Sequence, residues 1–285
     1  MKFGMNVPIF GEYADVRLLA ELAVDAERAG WDGFWVWDHI QWSGEGEGEP
    51  RQPAVDPTVA LALVAASTSR VRIGPMVTPL ARRRPWKVAR EITTLDHLSG
   101  GRVTLGVGLG GPPGLEFGDF GEDTDPRVRA AKLDEGLDVL TGLWSGEPFD
   151  FAGQHHRVHR AQLLPPPVQR PVPIWVGGEW PDHRAPFRRA ARFDGVHPLL
   201  FSVPPDDQPA AIRELVSFLR GIRPDDRPFD VAFGAETRGD GSEADRALVR
   251  EFEQAGVTWW MEPVSHWRGP LAEMRERIRR GPPAL

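Results

Sequence analysis

The stretch WDGFWVWDHIQW, residues 31–42, decides how this chain is read. Gly33–Trp37 is an apolar run rich in the aromatic and β-branched residues that favour strands, and it ends abruptly in the titratable pair Asp38-His39. Upstream, Leu19, Leu22, Ala23 and Ala26 fall at i, i+3, i+4 and i+7, the apolar stripe of a helix, and Gly30 follows as a left-handed cap would. A helix, a buried strand and a polar strand end therefore follow one another here. The same beat runs along the chain. Strand-forming runs recur at 3–7, 33–37, 71–78, 102–108, 172–178, 194–199, 230–236 and 257–263, separated by helical runs. Eight strands alternating with helices predict a (β/α)8 TIM barrel, for which ~250 residues is usual. We read residues 1–285 as a single such domain.

Punctuation agrees with that reading. Asp56-Pro57 and Asp125-Pro126 each set a capping carboxylate before a proline at the first helical position. Two segments depart from the beat. The strand-two loop, 41–55, is long and Gly/Glu-rich, a mobile-lid pattern. Residues 146–171 predict a small strand pair before strand five. With 41% hydrophobic and 26% charged residues the composition is globular, and the longest apolar run, 59–66, is far too short to cross a bilayer. MKFGMNVPIF has no signal-peptide core, so a cytoplasmic protein is expected. A net charge of −7 argues against nucleic-acid binding, and the absence of cysteine excludes thiolate chemistry.

Barrel enzymes place their chemistry at the C-terminal ends of strands and in the loops that follow. That rule selects Asn6, Asp38-His39, Thr78, Gly108 to Gly111, Gly177-Gly178-Glu179, His197 and Glu262. A His beside an Asp, between Trp37 and Trp42, offers a general acid/base next to an aromatic-lined cavity; a capping Asp and a packed His is the other reading. GVGLGG, 106–111, matches a dinucleotide fingerprint, but Pro112-Pro113 block the helix that should follow, so a Rossmann site is rejected. WVGGEWP, 175–181, followed by Arg184, Arg188 and Arg189, suits either an anion or a tight loop beside a solvated face. Arg82-Arg83-Arg84, before Pro85, faces the same choice between anion contact and a solvated loop, and as a charge run it is read as solvated. His155, His156 and His159 lie off the mouth with no zinc-type spacing, so no metal is expected.

The segments FGMNVPIFG, AERAGWDGFWVWDHIQW, RIGPMVTPLARRRPWKVAREITTLDHLSGGRVTLGVGLGG, EFGDFGE, FAGQHHRV and LLPPPVQRPVPIWVGG occur in an order that resembles the bacterial luciferase-like superfamily of flavin- and F420-dependent oxidoreductases. The likeness covers about the first 200 residues. It implies F420 or FMN at the barrel mouth and a non-prolyl cis peptide between Gly74 and Val77. It also implies His39, Trp42 and Asp38 as the reacting group, and Asn6, Thr78, Gly106, Gly108, Gly177, Gly178 and Glu179 as cofactor contacts. The implied reaction is F420-dependent hydride transfer on a small organic substrate, apolar or planar given the tryptophans. FMN-dependent oxygenation with O2 and a non-catalytic flavin-binding protein are the alternatives within the family, and a hydrolase using two of Asp38, Glu179 and Glu262 is the alternative outside it. A homodimer is expected. Sugar-phosphate dehydrogenases of the F420 branch carry a Glu where this sequence has Gly111, so His39 is expected to act without a carboxylate from the strand-four end.

Overall fold

All eight expected strands form, the third in two pieces. The computed structural model describes residues 1–44 and 49–283. Nine parallel strands result: β1 Lys2–Val7, β2 Gly33–Val36, β3 Arg72–Pro75, β4 Thr78–Pro79, β5 Leu105–Gly108, β6 Ile174–Glu179, β7 Gly195–Leu199, β8 Asp230–Phe233 and β9 Trp259–Pro263. They run β3-β2-β1-β9-β8-β7-β6-β5-β4 around the sheet. β3 and β4 are one barrel position, broken by the cis peptide Met76-Val77, and a parallel bridge from Ile73 to Val103 closes the ring.

The helices α1 Val16–Arg28, α2 Pro57–Ser67, α3 Pro85–Ser99, α4 Pro113–Glu116, α5 Pro126–Trp144, α6 Ala185–Ala190, α7 Gln208–Ile222, α8 Glu243–Ala255 and α9 Leu271–Arg279 lie between and after the strands. Their ends follow from the sequence. Asp56 and Asp125 accept hydrogen bonds from Val59 N and Arg127 N, and Gly100 closes α3 in the left-handed region at φ 68°. Both faces of the strands are buried, as parallel barrel strands require. None of the described helices is long and apolar enough to cross a membrane.

Trp35, Trp175 and Trp259 pack inside the barrel, with ring centroids 5.1 to 5.5 Å apart, and form a solid floor. Glycine on the neighbouring strands makes room: a Cβ on Gly4 would stand 2.6 Å from the Trp35 ring and one on Gly195 2.5 Å from Trp175. This floor confines any ligand to the upper half of the barrel.

Both irregular segments are anchored. In the strand-two loop, Trp42–Ser43 pairs antiparallel with Arg51–Gln52, Gln41 Nε2 donates to Leu115 O and Asp119 at 2.8 Å, and Arg51 pairs with Asp119 at 2.9 Å. The described part is therefore a docked hairpin, not a free lid; residues 45–48 lie outside the described residues. The excursion before β6 is the hairpin Phe149–Ala152 with Arg157–Ala161, tied to α5 because Glu135 accepts from Gln154, His155 and His156 N–H at 2.7 to 2.9 Å. The three histidines there form no metal cluster among the described residues.

Candidate active site

The strand C-termini surround a cavity of about 590 Å3, within the range of small-molecule sites. Its walls come from six of the eight barrel positions: Asn6 from β1, Trp37 to His39 after β2, Val77 and Pro79 at the broken third position, Gly108 to Pro112 at the end of β5, Gly177 to Glu179 on β6, and His197 on β7. One wall is backbone. Gly108 and Gly177 flank the cis-peptide bulge so closely that a Cβ would meet Val77 at 2.7 and 2.9 Å. A larger residue at either position would push Val77 into the cavity.

His39 lies on this cavity in an aromatic nest, edge-on to Trp42 at 4.7 Å, while Phe10 stacks on Trp42 at 4.5 Å. Its Nδ1 is 3.3 Å from Oε1 of Glu116, a fully buried carboxylate at the end of α4. Glu116 also accepts from Ile40 N at 3.2 Å and pairs with Arg82 at 2.9 Å. Held this way the carboxylate is an acceptor, which assigns the Nδ1 hydrogen to His39 and leaves Nε2 free to take or give a proton.

Asp38 does something else. Its carboxylate accepts from Thr78 Oγ1 at 2.9 Å and pairs with Arg82 at 3.0 Å and Arg83 at 2.7 Å. Two guanidiniums and a hydroxyl saturate it, so Asp38 fixes the strand-two end rather than serving as the acid/base partner of His39. Arg82 and Arg83 accordingly depart from the solvated reading: they are drawn inward because two buried carboxylates need counter-charge.

The other expected contacts divide. Asn6, Gly108, Gly177, Gly178, Glu179 and Trp42 line the cavity. Thr78 does not, being buried against Asp38, and Gly106 does not, since a Cβ there would run into Pro75 O at 2.4 Å and Met76 at 3.2 Å rather than open space. Glu262 is fully buried, paired with Arg268 and with Arg277 and bonded by Thr237 and Trp260. That leaves the hydrolase reading no pair of free carboxylates, because Asp38 and Glu262 are both neutralised. Two of the three arginines after β6 are engaged, Arg189 holding Asp134 and Arg184 lying over Trp180 and pairing with Glu214, while Arg188 is exposed as a solvated face would have it. Trp267, after β9, packs 5.4 Å from Trp37 and helps to cover the mouth.

Reading the sequence missed Glu116. Its only signal is that it opens EFGDFGE, the first acidic residue after the glycine-rich strand end. His197 turned out more informative than its strand-end position implied. Its Nδ1 donates to Ala232 O at 2.8 Å, and desolvation at the half-buried cavity wall pushes its pKa below the ordinary value, which favours the neutral ring with Nε2 as an acceptor.

A family model described as luciferase-like monooxygenase matches residues 1–284. The chain belongs to the luciferase-like monooxygenase family. Among curated relatives of this luciferase-like chain, an F420-dependent glucose-6-phosphate dehydrogenase of Nakamurella multipartita is 36% identical over 170 residues, 57% of this chain and 47% of that protein. The chain thus spans about half the length of the curated relatives it matches. Among solved structures, an F420-dependent secondary alcohol dehydrogenase in complex with an F420-acetone adduct superposes with TM-score 0.76 at 20% identity, covering 98% of this chain and 97% of that one. The monooxygenase RslO1 from Streptomyces bottropensis gives 0.73 at 24% identity, covering 98% and 97%. At these identities the two structures establish the shared barrel.

Proposed function

We propose that this protein is an F420-dependent oxidoreductase that moves a hydride to or from a small organic substrate, with His39 as the proton-transferring group. The observation that carries this reading is the pairing of His39 with buried Glu116 at the edge of a glycine-walled cavity. The family assignment and the F420-dependent relatives support it.

The residues present suit a planar tricyclic ring. The backbone wall at Gly108 and Gly177 admits a flat face, and Asn6 Oδ1 is a buried acceptor with no partner among the described residues. Gly177, Gly178 and Glu179 would hold the cofactor by backbone contacts, and Asn6 and His197 would face the ring edge with acceptors. When bound, the deazaflavin supplies or accepts the hydride. This chain's own part is to hold the substrate oxygen near His39 Nε2, exclude water with Trp37 and Trp42, and carry the proton. Glu116 then stabilises the imidazolium formed when His39 accepts it, the role of a carboxylate behind a catalytic His.

FMN-dependent oxygenation is the second reading, favoured by the family's monooxygenases. Titrating the purified protein with F420 and with FMN, followed by fluorescence, separates the two, and O2 uptake on turnover distinguishes the chemistries. Binding of neither cofactor refutes the proposal; binding without turnover on any substrate supports a non-catalytic flavin-binding protein. A cytoplasmic homodimer is part of the same proposal, supported by the family likeness and tested by cell fractionation and light scattering.

A further inference from the structure

Outside the cavity wall stands a second layer of rings. Trp37 and Trp42 line the cavity beside His39, and Trp267 packs against both, 5.4 Å from Trp37 and 6.1 Å from Trp42, with His266 4.4 Å away from it. Trp267 is no part of the lining and is 46% exposed, so its ring has the two indoles on one side and solvent on the other. Nε1 of Trp37 and Nε1 of Trp42 are buried, and neither has a hydrogen-bond partner among the described residues. A buried N–H without a bond has only the packing around it to keep water away.

The loop that carries Trp267 is tied down at the next residue. Arg268 pairs with Glu262 on β9, donates to Pro263 O at 2.8 Å and donates to Thr237 O in the loop after β8. Glu262 is fully buried; it accepts from Thr237 N at 3.0 Å and from Thr237 Oγ1 at 2.8 Å, and Arg277 of α9 stands 3.3 Å away. A buried carboxylate between two guanidiniums adds little net stability, because desolvation offsets much of the attraction, but its bonds hold the groups at set positions. These bonds join the loops after β8 and β9 at one point, one residue from Trp267.

We infer that Trp267 is a positioning residue of this site: anchored through Arg268 and Glu262, it braces the Trp37 and Trp42 indoles from the solvent side and keeps water off them. The inference rests on the hydride-transfer reading above, in which those two indoles exclude water around His39. Trp267 acts through them, since it does not line the cavity. Glu262, neutralised by its partners, thus serves the site through the loop it holds.

The test reads the two indoles directly. Hydrogen exchange of the Trp37 and Trp42 Nε1–H groups is followed by NMR of tryptophan-labelled protein without cofactor, with signals assigned from Trp37→Phe, Trp42→Phe and Trp144→Phe spectra. We expect exchange at Trp37 and Trp42 to quicken at least about tenfold in Trp267→Ala, and to stay within about threefold of the natural rate in Trp267→Phe, which restores a ring there. Arg268→Lys keeps the charge but loses the guanidinium fork, and should quicken the same two signals. Trp144, whose Nε1 donates to Ala89 O at 3.2 Å between outer helices, should exchange at an unchanged rate, which separates a local brace from general loosening. Unchanged exchange at Trp37 and Trp42 in Trp267→Ala, equal quickening at Trp144, no recovery in Trp267→Phe, or no change in Arg268→Lys would each overturn the inference. F420 affinity of Trp267→Ala, titrated by fluorescence, should stay within about threefold of the natural value; a loss of about tenfold or more would make Trp267 a cofactor contact and overturn its positioning role. Failure of the natural protein to bind F420 overturns the hydride-transfer reading, and is read separately from the exchange.

Discussion

Glu116→Gln changes one atom in a fully buried group and removes the charge behind His39. The amide oxygen can still accept from Ile40 N, now 3.2 Å from Oε1, so the strand-two end keeps its shape. What disappears is a negative charge 3.3 Å from His39 Nδ1. Two unit charges about 4 Å apart at an effective dielectric near 20 interact by about 4 kcal/mol. Arg82, 2.9 Å from the same carboxylate, offsets much of that field at the imidazole. We take about 1.4–2.8 kcal/mol as the net loss in the transition state, which at about 1.4 kcal/mol per decade is a 10- to 100-fold fall in kcat. Cofactor affinity and KM should change little, because Glu116 does not line the cavity. Glu116→Asp, which keeps the charge, should recover part of the rate. The assay is steady-state cofactor reduction with fluorescence titration in parallel. An unchanged kcat in Glu116→Gln, or equal losses in cofactor affinity and rate, would refute the reasoning.

Three further outcomes follow from the geometry. His39→Ala should retain cofactor binding and lose turnover by about 100-fold or more, the scale of a general acid/base residue; unaltered turnover removes His39 from the mechanism. Gly108→Ala places a Cβ 2.7 Å from Val77 and should weaken cofactor binding at least about tenfold, about 1.4 kcal/mol, with little loss of melting temperature; normal affinity contradicts the proposed wall. His197 is depressed in pKa by burial, so the unfolded chain binds the proton the folded one refuses. Its contribution is therefore present above the ordinary histidine pKa of about 6.5 and is lost as pH falls below it. Denaturant melts between pH 7.5 and about 5.5 should show stability falling with acid, and a flatter slope in His197→Asn; parallel slopes would dismiss His197 as the cause.

Period and punctuation, both local properties of the chain, determined the barrel. Alternating strand and helix runs, Asp-Pro caps and Gly100 needed no knowledge of distant residues, and all eight strands formed where those signals lay. Strand order likewise told which ends face the mouth, and so singled out His39, Gly108 and Gly177. Ion pairing was a different matter. Asp38 and His39 are neighbours in sequence, yet successive residues leaving a strand diverge, and the carboxylate that reaches His39 comes from Glu116, 77 positions away. Arg82 and Arg83 resemble a solvated charge run in sequence because the acids that pull them inward, Asp38 and Glu116, lie on other barrel units. Glu262 looked free for the same reason, its partners Arg268 and Arg277 arriving only with the β9 loop and α9. Burial makes a charge seek its counter-charge wherever the fold supplies one. A sequence shows which charges exist, and only the closed barrel decides which of them meet.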